Sequence, residues 1–144
     1  MIHKTAIVNK KAEISGNTTI GPYSIVGPNV KIGEGAEIQS HVNITGNTII
    51  GNNVVIANSA AIAGHAQISD EVIIGGNCGI QQFTRIGRMA MIGGMSGVSR
   101  DVIPYGLSFG NRNYLEGINL IGLRRKKVSN KEILAEKKFQ IKKF

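Results

Sequence analysis

Residues 43–68 read NITGNTIIGNNVVIANSAAIAGHAQI, with an isoleucine at 44, 50, 56, 62 and 68. The interval extends both ways: from Ile2 to Val98 an Ile or Val stands at every sixth position, seventeen in unbroken register. Two residues before each, from Val8 onward, comes a small or β-branched residue such as Ala36, Thr48, Val54, Ala60 or Cys78. A period of six fits neither an amphipathic helix nor an isolated hairpin, and a short fixed repeat takes precedence over other signals. Two inward positions flanking one outward position make a short strand, and the polar or Gly-rich remainder makes a corner. Three strands and three corners close a triangular coil of eighteen residues. Ile2, Ile20, Ile38, Ile56, Ile74 and Ile92 would then stack in one column at about the 4.8 Å interstrand spacing. The expected fold class is all-β, a parallel β-helix of hexapeptide repeats with about five to six triangular coils and a short C-terminal helical tail.

Working outward, the repeat is expected over residues 1–100, a crossing loop over 101–117, and a basic helical tail over 118–144. Pro104, Gly106 and Gly110 break the register and suggest the loop. Residues from Tyr114 to Lys127 lean helical, and Ser129–Glu132, reading SNKE, has the form of a capping box for a final helix. That helix carries a ragged apolar stripe of Ile133, Leu134, Phe139 and Ile141.

The net charge of +8 is concentrated in the tail. Residues 1–123 hold eight basic and seven acidic side chains, whereas residues 124–144 hold nine and two. The cluster Arg124, Arg125, Lys126, Lys127 suits a phosphate or an acidic protein partner, or else a solvated turn at a helix C-terminus. Nucleic acid is disfavoured, because aromatic platforms and a nucleic-acid module are absent. No apolar run approaches the ~20 residues needed to span a membrane, and the opening MIHKTAIVNK lacks a signal peptide's apolar core, so a soluble cytoplasmic protein is expected. The single cysteine, Cys78, falls on a small inward position and reads as core.

The residue before each ladder position points outward. One wall shows Met1, Thr19, Glu37, Val55, Ile73 and Met91; the next shows Ile7, Ile25, Asn43, Ala61, Gly79 and Gly97. The third shows Glu13, Lys31, Ile49, Gln67 and Arg85. Two apolar or small walls and one polar wall suit a closed cyclic assembly, with a homotrimer as the simplest form.

Several segments in order carry a more specific signal: SHVNI at 40, IGNNVVIAN at 50, AGH at 63, IGGNCGIQQFTRIG at 74, MIGGMSGVSRDVIPYG at 91 and GNRNYLEGINLIGLRRK at 110. Together they resemble the acyl-carrier-protein–UDP-N-acetylglucosamine O-acyltransferases of lipid A biosynthesis. The resemblance implies a left-handed parallel β-helix, a homotrimer, and a site between neighbouring subunits. It implies transfer of an (R)-3-hydroxyacyl chain from acyl carrier protein to the 3-hydroxyl of UDP-N-acetylglucosamine, without a cofactor or metal.

The family's general base is a His in a His-x-x-His-Asp segment just before the stretch matching Ile50–Asn58. Aligned on that stretch, the base position falls on Gly46, the preceding His on Asn43 and the Asp on Asn47. Residues 40–48 instead resemble an early coil of the family's barrel, as though it were joined in register to a late one. His65, in AGH, matches a His that assists binding and charge placement, and is a weak catalytic candidate. Gln82 matches a polar contact to sugar or donor, and Gln81 replaces a His commonly found there and reads as a corner residue. Asn119 and Arg125 match positions that contact the nucleotide sugar, Ile121 stands where many members carry an acid, and Gly94 falls in the region that measures acyl length. His41 reads as an exposed corner residue, and His3 carries no signal.

Three classes follow from this reading: an acyltransferase using another base or a rearranged site, a catalytically inactive relative that keeps the trimeric scaffold and binds acyl carrier protein or nucleotide sugar, and a purely structural β-helix. The aligned Gly46 predicts little or no activity. A purely structural surface-binding helix would show regular Thr ladders, which Thr18, Thr19, Thr45, Thr48 and Thr84 do not form. A β-helical carbonic anhydrase would need a close pair of His for zinc.

Overall fold

The computed structural model describes residues 1–143, with side chains as far as Glu136. Sixteen strands of two residues each, β1 (Ile7–Val8) to β16 (Gly97–Val98), follow one another with each start six residues after the last. They fall into three parallel sheets that form the walls of a solenoid: β1-β4-β7-β10-β13-β16, β2-β5-β8-β11-β14, and the series beginning with β3 and running through β15. Every pairing joins residues eighteen apart, such as Ile20 with Ile38, Ile38 with Ile56 and Ile74 with Ile92. The architecture expected from the hexads is the one observed.

Alternation within each strand places one residue in the interior and one outside. Ile20, Ile38, Ile56, Ile74 and Ile92 are all no more than 1% exposed and belong to one continuous core. The small inward residues fill the space ahead of each corner. Several of the polar ones find a partner one coil on: Thr18 donates to the Gly33 carbonyl at 2.9 Å, Ser24 to Gln39 at 2.7 Å and Thr48 to Ala63 at 3.2 Å. The Cys78 thiol donates to the Gly93 carbonyl at 3.1 Å in the same relation, and the Ser96 hydroxyl donates to that carbonyl at 2.6 Å from its own corner. These slots therefore accept Ser, Thr or Cys where a carbonyl lies within reach.

Each corner is closed by a residue three places after the ladder position, with φ between 53° and 70° from Asn17 to Met95. Asn17, Asn29, Asn47, Asn53 and Asn77 are among them, in keeping with the tolerance of Asn for the left-handed region. From Gly35 onward their N–H groups bind the preceding coil, as in His41 to the Pro22 carbonyl at 2.9 Å and Asn53 to Glu34 at 2.8 Å.

Beyond residue 100 the chain differs from the expected crossing loop. Val102 pairs with Ile86, extending the second wall. Strand β17 (Gly106–Phe109) adds in parallel to β15, and β18 (Tyr114–Ile118) turns back antiparallel on β17. The open hydrogen-bonding edge of β15 explains this: the last coil offers N–H and C=O groups that a loop would leave unpaired. The helical lean expected from Tyr114 therefore begins only at Leu120, with α1 (Leu120–Arg125) and α2 (Asn130–Lys143). The capping box forms, with Ser129 Oγ accepting from the Glu132 N–H at 3.2 Å and the Glu132 carboxylate accepting from the Ser129 N–H at 3.3 Å. Leu134 is exposed and Ile133 is buried, while the side chains of Phe139 and Ile141 lie outside the described residues. Among the described residues no helix is long and apolar enough to cross a membrane.

The tail seats on the solenoid through a second apolar cluster in which Ile118, Leu123 and Ile133 surround Met89, flanked by Tyr105, Leu120 and Val128. Ile56→Ala, in the middle of the fully buried column, is expected to cost about 2–5 kcal/mol in chemical denaturation. Gly75→Ala should also destabilise, since a Cβ there would lie 2.5 Å from the Gly94 nitrogen and 2.8 Å from its Cα, both of which are backbone.

Candidate functional site

The residues singled out for chemistry distribute over all three corners. One corner, between the β10–β13 wall and the β11–β14 wall, carries Asn47, His65 and Phe83 at successive coils, with Gln82 beside Phe83. His65 and Phe83 stack with ring centroids 4.7 Å apart and planes 10° from parallel. The His65 N–H donates to the carbonyl of Gly46 at 3.3 Å, so the residue aligned with the family base lies directly beneath this imidazole's own backbone. Gly46 is buried and supplies no side chain. Among the described residues the ion pairs join Arg85 to Asp101 and Glu71 to Arg88 and Lys126, so no carboxylate holds the His65 ring. His65 and Gln82 are both exposed here.

Beside this corner the wall is shallow. Ala61, Gly79 and Gly97 face outward at successive coils, leaving a trough of about 450 Å³ rimmed by Asn43, Thr45, Gln81, Ser99 and Asn111. Gln81, expected to serve the corner, lines this trough instead, because its position next to Ile80 turns it towards the wall. The run of small outward residues was the sequence signal for the trough, although it pointed only to a packing face.

A second corner carries His41, Gly94 and Met95. His41 faces Tyr23 at a centroid distance of 5.2 Å and a 32° tilt. It is exposed, as expected of a corner residue.

The third corner meets the tail. Asn119 is 6% exposed and both ends of its amide are engaged: Nδ2 donates to the Met89 carbonyl at 3.1 Å, and Oδ1 accepts from the Gly122 N–H at 3.0 Å. It is the N-cap of α1 and anchors that helix to the solenoid. Arg125 is exposed in the last turn of the same helix. Its neighbour Lys126 reaches Glu71 on the solenoid at 3.0 Å, and Arg88 approaches the same carboxylate at 3.3 Å. The hydrogen bond from Lys126, followed by its charge and that of Arg88, holds the Glu71 carboxyl below its ordinary range despite some desolvation. One member of the basic cluster thus fastens the tail rather than facing a partner.

Cys78 is buried, and burial pushes its thiol up, which suits a core residue and not a nucleophile. Among the described residues no group of three His, Cys, Asp or Glu is placed to hold a metal ion.

Comparison with known proteins agrees with the repeat fold and with the tail. Residues 11–46 match the family described as bacterial transferase hexapeptide (six repeats), and residues 101–140 match Udp N-acetylglucosamine O-acyltransferase, domain 2. The acyl-[acyl-carrier-protein]–UDP-N-acetylglucosamine O-acyltransferase of Paracoccus denitrificans is 54% identical over 57 residues, which is 40% of this chain and 22% of that protein. The UDP-N-acetylglucosamine O-acyltransferase structure from Moraxella catarrhalis is 30% identical, covering 95% of this chain and 82% of that one with a TM-score of 0.57. The chain belongs to the UDP-N-acetylglucosamine O-acyltransferase family.

The Acinetobacter baumannii member is 27% identical with a TM-score of 0.61, over 95% of this chain and 81% of that one. This chain matches only about a fifth of the length of the curated Paracoccus relative. For this family member, Asn119→Ala is expected to destabilise the α1 region by about 0.5–2 kcal/mol, read as faster amide exchange across Leu120–Lys126. Glu71 supplies a second test. Its folded pKa lies below the ordinary 4.5, so its contribution is complete above that value and is lost as pH falls through the lower folded value. The amide protection factors of α1, corrected for the intrinsic pH dependence of exchange, should therefore fall at acid pH more in the wild type than in Glu71→Gln, by an amount fitting a partly exposed ion pair of roughly 0–1 kcal/mol.

Proposed function

We propose that this chain engages the substrates of its family, acyl carrier protein bearing an (R)-3-hydroxyacyl group and UDP-N-acetylglucosamine, as a homotrimer with little catalytic turnover. The observation that carries this reading is Gly46: at the position aligned with the family's general base there is a buried glycine, which cannot take a proton from the sugar 3-hydroxyl. General-base catalysis typically supplies about 10² to 10⁴ in rate, and its loss sets the scale of the deficit.

The division of the candidate residues supports the assembly. His65 and Gln82 stand on one corner, Gly94 on another, and Asn119 and Arg125 beyond the third. Walls separate these groups within one chain, whereas packing wall against wall would bring a corner of one subunit to the trough of the next. Arg125 forms no ion pair among the described residues and its guanidinium suits phosphate, and Gln82 offers an exposed amide suited to sugar or donor. Asn119 supports such a site by fixing α1, on which Arg125 rides.

A second reading, residual transfer through His65, is favoured by one observation. This imidazole sits on the coil adjoining Gly46, and a neutral imidazole can accept a hydroxyl proton near pH 7. Without a carboxylate to fix its tautomer it would be a weak base.

Mass spectrometry of acylated UDP-N-acetylglucosamine, with acyl carrier proteins of several chain lengths and a full-length family enzyme as control, separates the two. Binding of UDP-N-acetylglucosamine by a folded trimer, with turnover at least about a hundredfold below the control, is the expected outcome. Product formed at the control rate would overturn it, and product lost in His65→Ala would assign the residual chemistry to His65.

A further inference from the structure

The solenoid and the tail have separate interiors. Among the described residues, the core of the coils runs from Ile20 to Val102, whereas Met89, Ile118, Leu123 and Ile133 form a second cluster that shares no residue with it. Removing the tail's part of that cluster leaves the isoleucine columns and the hydrogen bonds between coils in place. The two helices, in contrast, depend on one seat. Leu123 of α1 and Ile133 of α2 are 2% and 4% exposed in the same cluster, and the Val128 N–H, between the helices, donates to the Leu123 carbonyl at 3.0 Å. A helix of six residues has no stability of its own, and one of fourteen has little. Loss of the seat therefore releases both together.

Both ends of α1 are fastened to one corner of the solenoid. At its start Asn119 donates through its amide to the Met89 carbonyl at 3.1 Å, and through its N–H to the Tyr105 carbonyl at 2.6 Å. At its end Lys126 reaches Glu71 at 3.0 Å, and Arg88 meets the same carboxylate at 3.3 Å. Glu71 and Met89 stand on successive coils of that corner, eighteen residues apart. The Lys126 side chain is 59% exposed, so water and salt ions can take the place of this contact. Under the helices a groove of about 520 Å³ runs along Met89, Tyr105, Leu123 and Val128, so the seat is not closely packed. Just before Ile118 the chain passes through Gly117 at φ 143°, where a Cβ would have no neighbour within 4 Å. A backbone open to glycine, with free space around it, suits a pivot.

We propose that α1 and α2 form a hinged arm, pivoting at Gly117 and latched by Glu71, which opens as one unit from an intact solenoid. Opening uncovers Met89 and Tyr105 and carries Arg124 and Arg125 away from the corner. Salt, by loosening the latch, shifts the arm towards the open state. The inference does not depend on the acyl-transfer reading.

Hydrogen–deuterium exchange on the full chain, read by mass spectrometry, tests this together with oxidation by hydrogen peroxide. Met89 is 6% exposed under the closed arm, whereas Met95 is 78% exposed and supplies the reference rate. The helices as far as Glu136 should exchange with one common protection, at least roughly tenfold below that of the coils, with the boundary at Gly117. Leu123→Ala should accelerate exchange in α1 and α2 by the same factor, at least about tenfold, and Met89 oxidation with it, while the coils keep wild-type protection and so report an intact fold. Glu71→Gln should raise both readouts by about two- to fivefold, the scale of a partly exposed ion pair. About 1 M sodium chloride should do the same in the wild type and not in that variant. An arm as well protected as the coils, a boundary inside the helices, α2 unmoved by Leu123→Ala, coils accelerated along with the arm, or Glu71→Gln without effect would overturn the proposal.

Discussion

Everything in this protein depends on hydrogen bonding between consecutive coils. Ile7 donates to Ser24, Ile25 to Val42, Asn43 to Ala60 and Ala61 to Cys78, at 2.8–3.0 Å, and the same relation continues along each wall. A two-residue strand has no stability of its own; it exists because the coils on either side supply the partners of its backbone groups. That constraint demands a strict count of residues. One residue added to a hexad would turn the following inward residue outward, and the isoleucine columns would no longer meet. The unbroken interval from Ile2 to Val98 is the mark of that demand on the sequence.

The same constraint sorts where chemistry can reside. Inward positions are closed by the columns, and flat walls hold short strands whose outward residues are available for packing. Corners are where a side chain can stand free, because the residue there has positive φ and its N–H is already bonded to the previous coil. Residues eighteen apart consequently share a corner, which is how His65 comes to stack on Phe83 and His41 to face Tyr23. Asn47 shares the corner of His65 in this way, and the residue just before it, Gly46, accepts the His65 N–H. The tail adds a different principle. It has its own apolar cluster around Met89, its own cap in Asn119 and its own ion pair from Lys126 to Glu71, all converging on one corner of the last coils.

How far the sequence could be read follows from whether the deciding interactions are local. The solenoid was legible because its period is fixed by residues near one another and repeats without error. The capping box at Ser129 and Glu132 was legible for the same reason, since both partners lie within one turn. Residues 101–118 were not. Pro104, Gly106 and Gly110 read as loop, yet β17 and β18 form because the edge of β15 is open to them, and no local pattern announces that edge. Asn119 shows the limit at a single residue: its motif pointed to the nucleotide sugar, while its amide is engaged by Met89 and Gly122, the former thirty residues away in sequence. The His65–Phe83 stack lay between these cases, since an eighteen-residue separation was enough to place both rings on one corner.

The sequence by itself determined the repeat, the identity of the interior, and the division between a nearly neutral solenoid and a cationic tail. These follow from residue spacing and residue type, which need no knowledge of distant contacts. Only the tertiary structure decided that the solenoid is extended by β17 and β18, that Lys126 fastens the tail to Glu71, and that the isoleucine column ends in the buried hydroxyl of Ser108. Each of those turns on groups brought together by the completed stack of coils, and the energy of such contacts depends on burial and partners that a linear reading does not contain.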